Sequence, residues 1–122
     1  LMVVPIFAGY DVHVEQGRLW DYDATGGRYE EMDFVATGSG QLHAATVLRV
    51  SWRRDISVQE AIELVSRALW EASDADSATG GPDVLRGIYP VVASITKDGF
   101  SRVPDSDLAS IYSAITTGVQ QR

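Results

Sequence analysis

Asp76-Ser77-Ala78-Thr79-Gly80-Gly81-Pro82-Asp83 is the segment around which this chain of 122 residues is organised. It follows a stretch with helical apolar period and is rich in hydroxyls and glycines, as is the shorter turn Gly38-Ser39-Gly40. An acid and a hydroxyl three residues apart in a turn can point the same way, so Asp76 can orient Thr79 by a hydrogen bond. Both segments are typical of the supporting side of a hydrolytic site, and neither contains an evident nucleophile.

Upstream of this segment, the pattern predicts strands and then a pair of helices. The apolar residues 1–14 predict a strand that ends at a break near residues 17–18. Residues 19–23 and 29–37 predict a hairpin across a glycine-bearing loop. Two antiparallel helices follow the 38–40 turn. Leu42 and Leu48 lie on the predicted apolar face of the first, and the second opens at the capping box Ser57-Val58-Gln59-Glu60.

Downstream, the chain predicts another hairpin and a last helix. Ile88–Thr96 is nearly all apolar, which predicts a central strand covered on both faces. Lys97-Asp98-Gly99 predicts a hairpin turn, and an apolar stripe from Leu108 to Ile115 predicts an amphipathic helix that Gly118 closes. Runs of strands and runs of helices favour a layered α+β fold in one domain over residues 1–122.

Composition excludes several classes of protein. The formal net charge of −7 argues against a nucleic-acid partner, which would need a basic face. No apolar run approaches the roughly 20 residues that span a bilayer, so no membrane partner is expected. The chain has no cysteine and only two histidines, His13 and His43, too few for a zinc site. We expect no metal, no cofactor and a cytoplasmic location.

The two turns also have simpler interpretations. Ser39 can be an N-cap serine flanked by glycines for a tight turn, and the same turn can present N–H groups to an anion such as phosphate. The G-x-S-x-G elbow is absent because position 37 is Thr, so Ser39 is a poor nucleophile candidate. The segment from Asp74 to Asp83 fails as a calcium loop at Ala78 and Thr79.

These segments together resemble the β subunits of the proteasome, in their actinobacterial branch. The resemblance covers essentially all 122 residues and corresponds to the C-terminal half of such a subunit. It implies half of a four-layer α/β/β/α sandwich of the N-terminal nucleophile hydrolase type. The segments that carry it are Ala8-Gly9-Tyr10-Asp11, Asp23-Ala24-Thr25-Gly26-Gly27, Gly38-Ser39-Gly40 and, most strongly, Asp76 to Asp83 followed by Arg86-Gly87-Ile88.

The resemblance implies part of a threonine-type endopeptidase that degrades unfolded proteins to peptides inside a chamber of heptameric rings. Partners would be other β subunits, α-type subunits, an ATPase regulator and the unfolded substrates. A threonine freed at the mature N-terminus would attack the peptide carbonyl, with its own amino group as the base. Ser39, Asp76 and Thr79 match residues that support this threonine, and Asp23 matches a pocket wall lent to a neighbour's substrate site.

The sequence departs from the family where the attack itself occurs. This sequence has no counterparts of the nucleophilic threonine, its lysine and aspartate, or the oxyanion glycine. Leu1 stands inside an apolar run, which is typical of the middle of a strand. We therefore expect a fragment, a split subunit or a decayed gene, inactive by itself. The alternatives are a non-catalytic ring-assembly module or truncated subunit, and an anion-binding domain that uses Gly38-Ser39-Gly40.

Overall fold

The computed structural model of the protein describes residues 3–120. Three strands come first, then two helices, a pair of strands and a last helix. Their bounds are β1 (Ile6–Asp11), β2 (Gln16–Tyr22), β3 (Arg28–Glu31), α1 (Gln41–Ser51), α2 (Val58–Ala75), β4 (Ala93–Thr96), β5 (Gly99–Arg102) and α3 (Asp105–Gln120).

The first three strands form an antiparallel sheet in the order β1-β2-β3. The strand predicted over residues 1–14 is shorter, because the chain turns back after Asp11; Leu1 and Met2 lie outside the described residues. The break predicted at residues 17–18 was wrong. Arg18 lies within β2, where its guanidinium makes two hydrogen bonds to Glu30, at 2.9 and 2.8 Å, and one to Asp11 at 3.1 Å. These cross-strand bonds hold β2 between its two neighbours.

The predicted helix pair is confirmed, and small residues line its seam. The Ser57 hydroxyl accepts a hydrogen bond from the Glu60 N–H at 3.1 Å, as the capping box requires. The buried core between the helices is formed by Ala44, Leu48, Leu64, Ala68 and Ala72. The predicted face of α1 was wrong at Leu42, which is 72% exposed, whereas Ala44 is buried.

The second hairpin turns where the sequence predicts, at Lys97 and Asp98, and Gly99 begins β5 with a φ of +99°. Its first strand, β4, begins only at Ala93, and Ile95 remains 37% exposed, so the prediction of a long strand covered on both faces was wrong for the described residues. Exposed and half-buried residues alternate along β4, so at most one of its faces is covered by a packed layer.

The last helix packs as its apolar stripe predicts. Leu108 and Tyr112 are 1% and 0% exposed, and the Tyr112 hydroxyl donates a hydrogen bond to the Ser66 carbonyl of α2 at 3.1 Å. Gly118 lies inside α3 and does not close it, because its φ is not in the left-handed region that a glycine cap adopts.

Helices α2 and α3 pack against the base of the second hairpin. Val92 and Val103, on either side of the second hairpin, share one core with α3 and the flank of α2. Strand β4 in turn approaches β1 and β2. Helices and strands thus share a mixed fold, as expected, while the four-layer sandwich stays a prediction. No helix within residues 3–120 is both long and apolar enough to cross a bilayer.

Candidate active site

The loop after α2 is fixed by hydrogen bonds to Asp76, the C-cap residue of that helix. The Thr79 hydroxyl donates to Asp76 Oδ2 at 2.7 Å, and the Ala78 N–H donates to Asp76 Oδ1 at 3.2 Å. The Thr79 N–H also donates to the Asp76 carbonyl at 3.0 Å. The predicted pairing of an acid and a hydroxyl three residues apart is therefore present, and it is built entirely within the loop.

The turn before α1 places Ser39 beside this loop rather than on the helix end. Gly38 has a φ of +110°, and its carbonyl accepts from the Gln41 N–H at 3.2 Å, which closes the turn. The N-cap residue of α1 is Gly40, and no side chain caps the helix. The interpretation of Ser39 as an N-cap serine was therefore wrong.

The two segments meet at Gly40, which is buried. A Cβ atom placed on Gly40 would lie 2.7 Å from Thr79 Oγ1 and 3.5 Å from Asp76 Oδ2. The same atom would lie 3.1 Å from the Cβ of Ala72, one turn before the end of α2. The start of α1 is thus seated against the end of α2 and its loop, which confirms that the two helices are antiparallel.

The pKa of the Asp76 carboxyl is lowered, and two hydroxyls are the main cause. The Ser39 hydroxyl contributes most, although the pair does not meet full hydrogen-bond geometry, and the Thr79 hydroxyl comes second. The C-terminus of α2 disfavours a negative charge, but the nearby N-terminus of α1 favours one, and the first turn of α1 has no acid of its own. Asp76 is therefore a carboxylate at neutral pH, bound by the Thr79 hydroxyl and close to the Ser39 hydroxyl.

His43 is a neighbour of the site that sequence reasoning missed. The sequence interpretation was an ordinary surface histidine, and its side chain is exposed. Its charge nevertheless contributes to the lowered pKa of Asp76, as the smallest of the causes. The available signal was its position three residues after Gly40, on the same face of α1.

Asp23 is bound within its own hairpin loop and has no hydrogen bond to the Ser39–Asp76–Thr79 cluster. Its carboxylate accepts from the Thr25 hydroxyl at 2.9 Å, the Gly27 N–H at 2.7 Å and the Tyr29 hydroxyl at 2.9 Å. These donors, the Thr25 hydroxyl first among them, lower the pKa of Asp23 to about 2. The structure gives Asp23 a role in its own turn, and its role as a substrate-pocket wall stays a prediction.

The chemical capacity of the cluster is orientation rather than attack. Within residues 3–120 no three His, Asp or Glu side chains converge as metal ligands. A carboxylate with two adjacent hydroxyls can hold an ammonium group or a water molecule in a fixed direction. Neither hydroxyl is paired with a base strong enough to activate it, because an ionised carboxylate of lowered pKa takes a proton poorly.

The fold combines helices and strands, and the Ser39–Asp76–Thr79 cluster lies where two helices meet. A comparison of sequences identifies the family of the chain. The chain belongs to the proteasome family, since the family described as proteasome subunit matches residues 1–85. Two curated relatives are proteasome β subunits. The subunit from Streptomyces griseus subsp. griseus is 50% identical over 115 residues, which are 94% of this chain and 41% of the relative.

The second relative is the proteasome subunit beta of Acidimicrobium ferrooxidans, which is 43% identical over 122 residues. That match covers 100% of this chain and 45% of the relative. The resemblance to actinobacterial β subunits is thereby confirmed. The chain spans less than half the length of the curated relatives it matches.

Proposed function

We propose that this chain is part of a proteasome core β subunit, a threonine-type endopeptidase that degrades unfolded proteins to peptides. Within that subunit it contributes the supporting groups Ser39, Asp76 and Thr79. The family match and the names of the two relatives support the subunit assignment. The convergence of Asp76, Thr79 and Ser39 around Gly40 is the observation that carries the role of these residues.

In this proposal the attacking threonine and the oxyanion donor belong to the rest of the subunit. The free amine of that threonine takes the proton from its hydroxyl, either directly or through water. Ionised Asp76 keeps the Thr79 hydroxyl in one direction through the 2.7 Å bond, and the nearby Ser39 hydroxyl helps to lower the pKa of the same carboxyl. The cluster thereby fixes the amine and the water for proton transfer, and we expect the 122 residues alone to be inactive.

The proposed partners follow from the same assignment. They are other β subunits in a heptameric ring, α-type subunits, an ATPase regulator and unfolded protein substrates, in the cytoplasm. Asp23 is proposed to form part of the wall of a neighbouring subunit's substrate pocket. Its loop is fixed internally by the Thr25, Gly27 and Tyr29 donors, so it can present a rigid edge to such a neighbour.

The test is Asp76→Asn in the full-length subunit assembled with its partners. An amide lacks the negative charge of the carboxylate and is a weaker acceptor for the Thr79 hydroxyl, so we expect turnover of a small fluorogenic peptide to fall about 100-fold. The matched control is Asp74→Asn, an exposed acid two residues earlier on the same helix end, which should retain full turnover. Near-normal turnover in Asp76→Asn particles would overturn the supporting role.

The alternative is a ring-assembly module without catalytic function. The strand region favours it in one respect, because Phe7 and Phe100 are 58% and 71% exposed and offer apolar surface to a partner. This alternative predicts that Asp76→Asn leaves the turnover of assembled rings unchanged. The same experiment therefore separates the two functions.

A further inference from the structure

We propose that Gly40 is a positioning residue of the active site, and that its missing side chain is what allows Thr79 to reach Asp76 while the start of α1 packs on α2. This inference rests on the proposed function of the cluster. Gly40 contributes no chemical group to the site, and it acts because it lacks a side chain.

Gly40 lies where there is no room for a side chain. A Cβ atom there would stand 2.7 Å from Thr79 Oγ1, closer than carbon and oxygen approach without a bond. It would also stand 3.1 Å from the Cβ of Ala72, which is attached directly to the backbone of α2 and cannot rotate away. Any side chain at position 40 therefore displaces Thr79 or separates the two helices.

The backbone of Gly40 shows that space, and not conformation, requires the glycine. Its φ of −93° and ψ of 11° are values that residues other than glycine adopt. Gly38, two residues earlier, is the opposite case, with a φ of +110° and open space around its missing Cβ. The two glycines of the turn thus have separate roles: Gly38 closes the turn and Gly40 makes room for the site.

The displaced group would be the Thr79 side chain, because it can rotate whereas the helix backbone cannot. Rotation removes the hydroxyl from the 2.7 Å bond to Asp76 and leaves that carboxylate with fewer donors. Substrate contacts lie elsewhere in this proposal. We therefore expect a lower kcat with little change in KM, the pattern of a group misplaced relative to the reacting atoms.

The experiment is Gly40→Ala in the full-length, assembled subunit, with kcat and KM measured on a fluorogenic peptide. We expect kcat to fall about 10- to 100-fold with KM within about twofold, since misplacement by about 1 Å has effects of this size. The matched control is Gly80→Ala. Gly80 adjoins Thr79, has no positive φ and has open space at its Cβ position, so its variant should keep the wild-type kcat.

A second variant separates positioning from packing. Gly40→Ala combined with Ala72→Gly removes the 3.1 Å contact between the helices but leaves the 2.7 Å contact with Thr79. The melting temperature of this double variant should equal that of Ala72→Gly alone, while its kcat stays low. If kcat recovers together with the melting temperature, or if neither variant assembles, Gly40 acts only in packing and the proposal is overturned.

The outcomes also separate this inference from the proposed function. Full turnover in Asp76→Asn rejects the supporting role of the cluster, whatever Gly40→Ala does. Loss of turnover in Asp76→Asn with wild-type kcat in Gly40→Ala leaves the function standing and rejects the positioning role of Gly40.

Discussion

The loops at Asp23 and Asp76 use the same interaction for different purposes. In each, an aspartate accepts a hydrogen bond from a nearby threonine hydroxyl, Thr25 at 2.9 Å in one and Thr79 at 2.7 Å in the other. Asp23 finds all its other donors inside its own hairpin. For Asp76, the largest cause of the lowered pKa is the Ser39 hydroxyl, in a turn far earlier in the chain.

The Asp23 loop is a self-contained turn, whereas the Asp76 cluster is built from two separate segments of the chain. The Asp23 loop needs only its own residues, so it keeps its geometry as long as the hairpin forms. The Asp76 cluster is complete only when α1 is docked on α2, because Ser39 and Gly40 reach it from the start of α1. Changes at the helix seam should therefore affect the Asp76 cluster and leave the Asp23 loop intact.

Ala68→Leu is the strongest test of this comparison. Ala68 is 3% exposed in the seam between α1 and α2, away from both loops in sequence. Overfilling this seam should cost about 1–3 kcal/mol of stability. By moving α1 on α2, it should also lower peptide turnover by about 10- to 100-fold. Chemical unfolding and peptide kinetics on the assembled subunit measure the two effects.

The control for the seam is Ala114→Leu, which adds the same side chain at an exposed position of α3. It should change neither stability nor turnover appreciably. Normal turnover in an Ala68→Leu particle that is destabilised as expected would mean that the Asp76 cluster is as self-contained as the Asp23 loop.

The sequence predicts local features of this molecule well, for a physical reason. The capping box at Ser57, the turn before Gly99 and the Asp76–Thr79 pair each depend on residues within a few positions of one another. Side-chain hydrogen bonds and backbone preferences at that range are encoded directly in the order of residues.

Packing was predicted unevenly: the stripe of α3 is buried as predicted, whereas parts of α1 and β4 are not. The predicted face of α1 was right at Leu48 and wrong at Leu42, because its seam also uses Ala44, whose small side chain gives a weaker hydrophobic signal than the exposed Leu42. The extent of β4 was overestimated because Val91 is apolar yet 71% exposed. Within the site, the spacing of residues predicted the Asp76–Thr79 pair, the family resemblance supplied Ser39, and nothing in the sequence order revealed the space at Gly40.

Thr79→Val tests how much a single hydroxyl contributes to the Asp76 cluster. Valine keeps the shape of the side chain but cannot donate to Asp76, so turnover should fall about tenfold, the lower end of what a hydrogen bond to a charged group contributes. Thr79→Ser keeps the donor and should stay within about threefold of wild type. Peptide turnover of the assembled subunit measures both.

The counterpart in the other loop is Thr25→Val. It removes the 2.9 Å hydrogen bond to Asp23, but that carboxylate retains the Gly27 and Tyr29 donors. Turnover should therefore stay close to wild type. A loss in Thr25→Val as large as that in Thr79→Val would contradict the distinction between a turn and a site.

The smallest expected effect is the acid sensitivity of the Asp23 loop. Hydrogen bonds from Thr25, Gly27 and Tyr29 lower the pKa of Asp23 from 3.8 to about 2 in the folded chain. A lowered carboxyl pKa stabilises the fold above the unfolded value, and this stabilisation is lost as the pH falls through the folded value. Hydrogen exchange at the Gly27 amide should therefore be slow at pH 5 and accelerate, relative to its intrinsic rate, only as the pH falls from about 4 to about 2.

Asp23→Asn should remove this acid transition, because an amide does not titrate, and should leave the Gly27 amide less protected at all pH values. Asp98→Asn, at the exposed turn of the other hairpin, should leave the transition where it is. If the Gly27 amide lost its protection already near pH 4, the loop donors would not be holding Asp23 ionised.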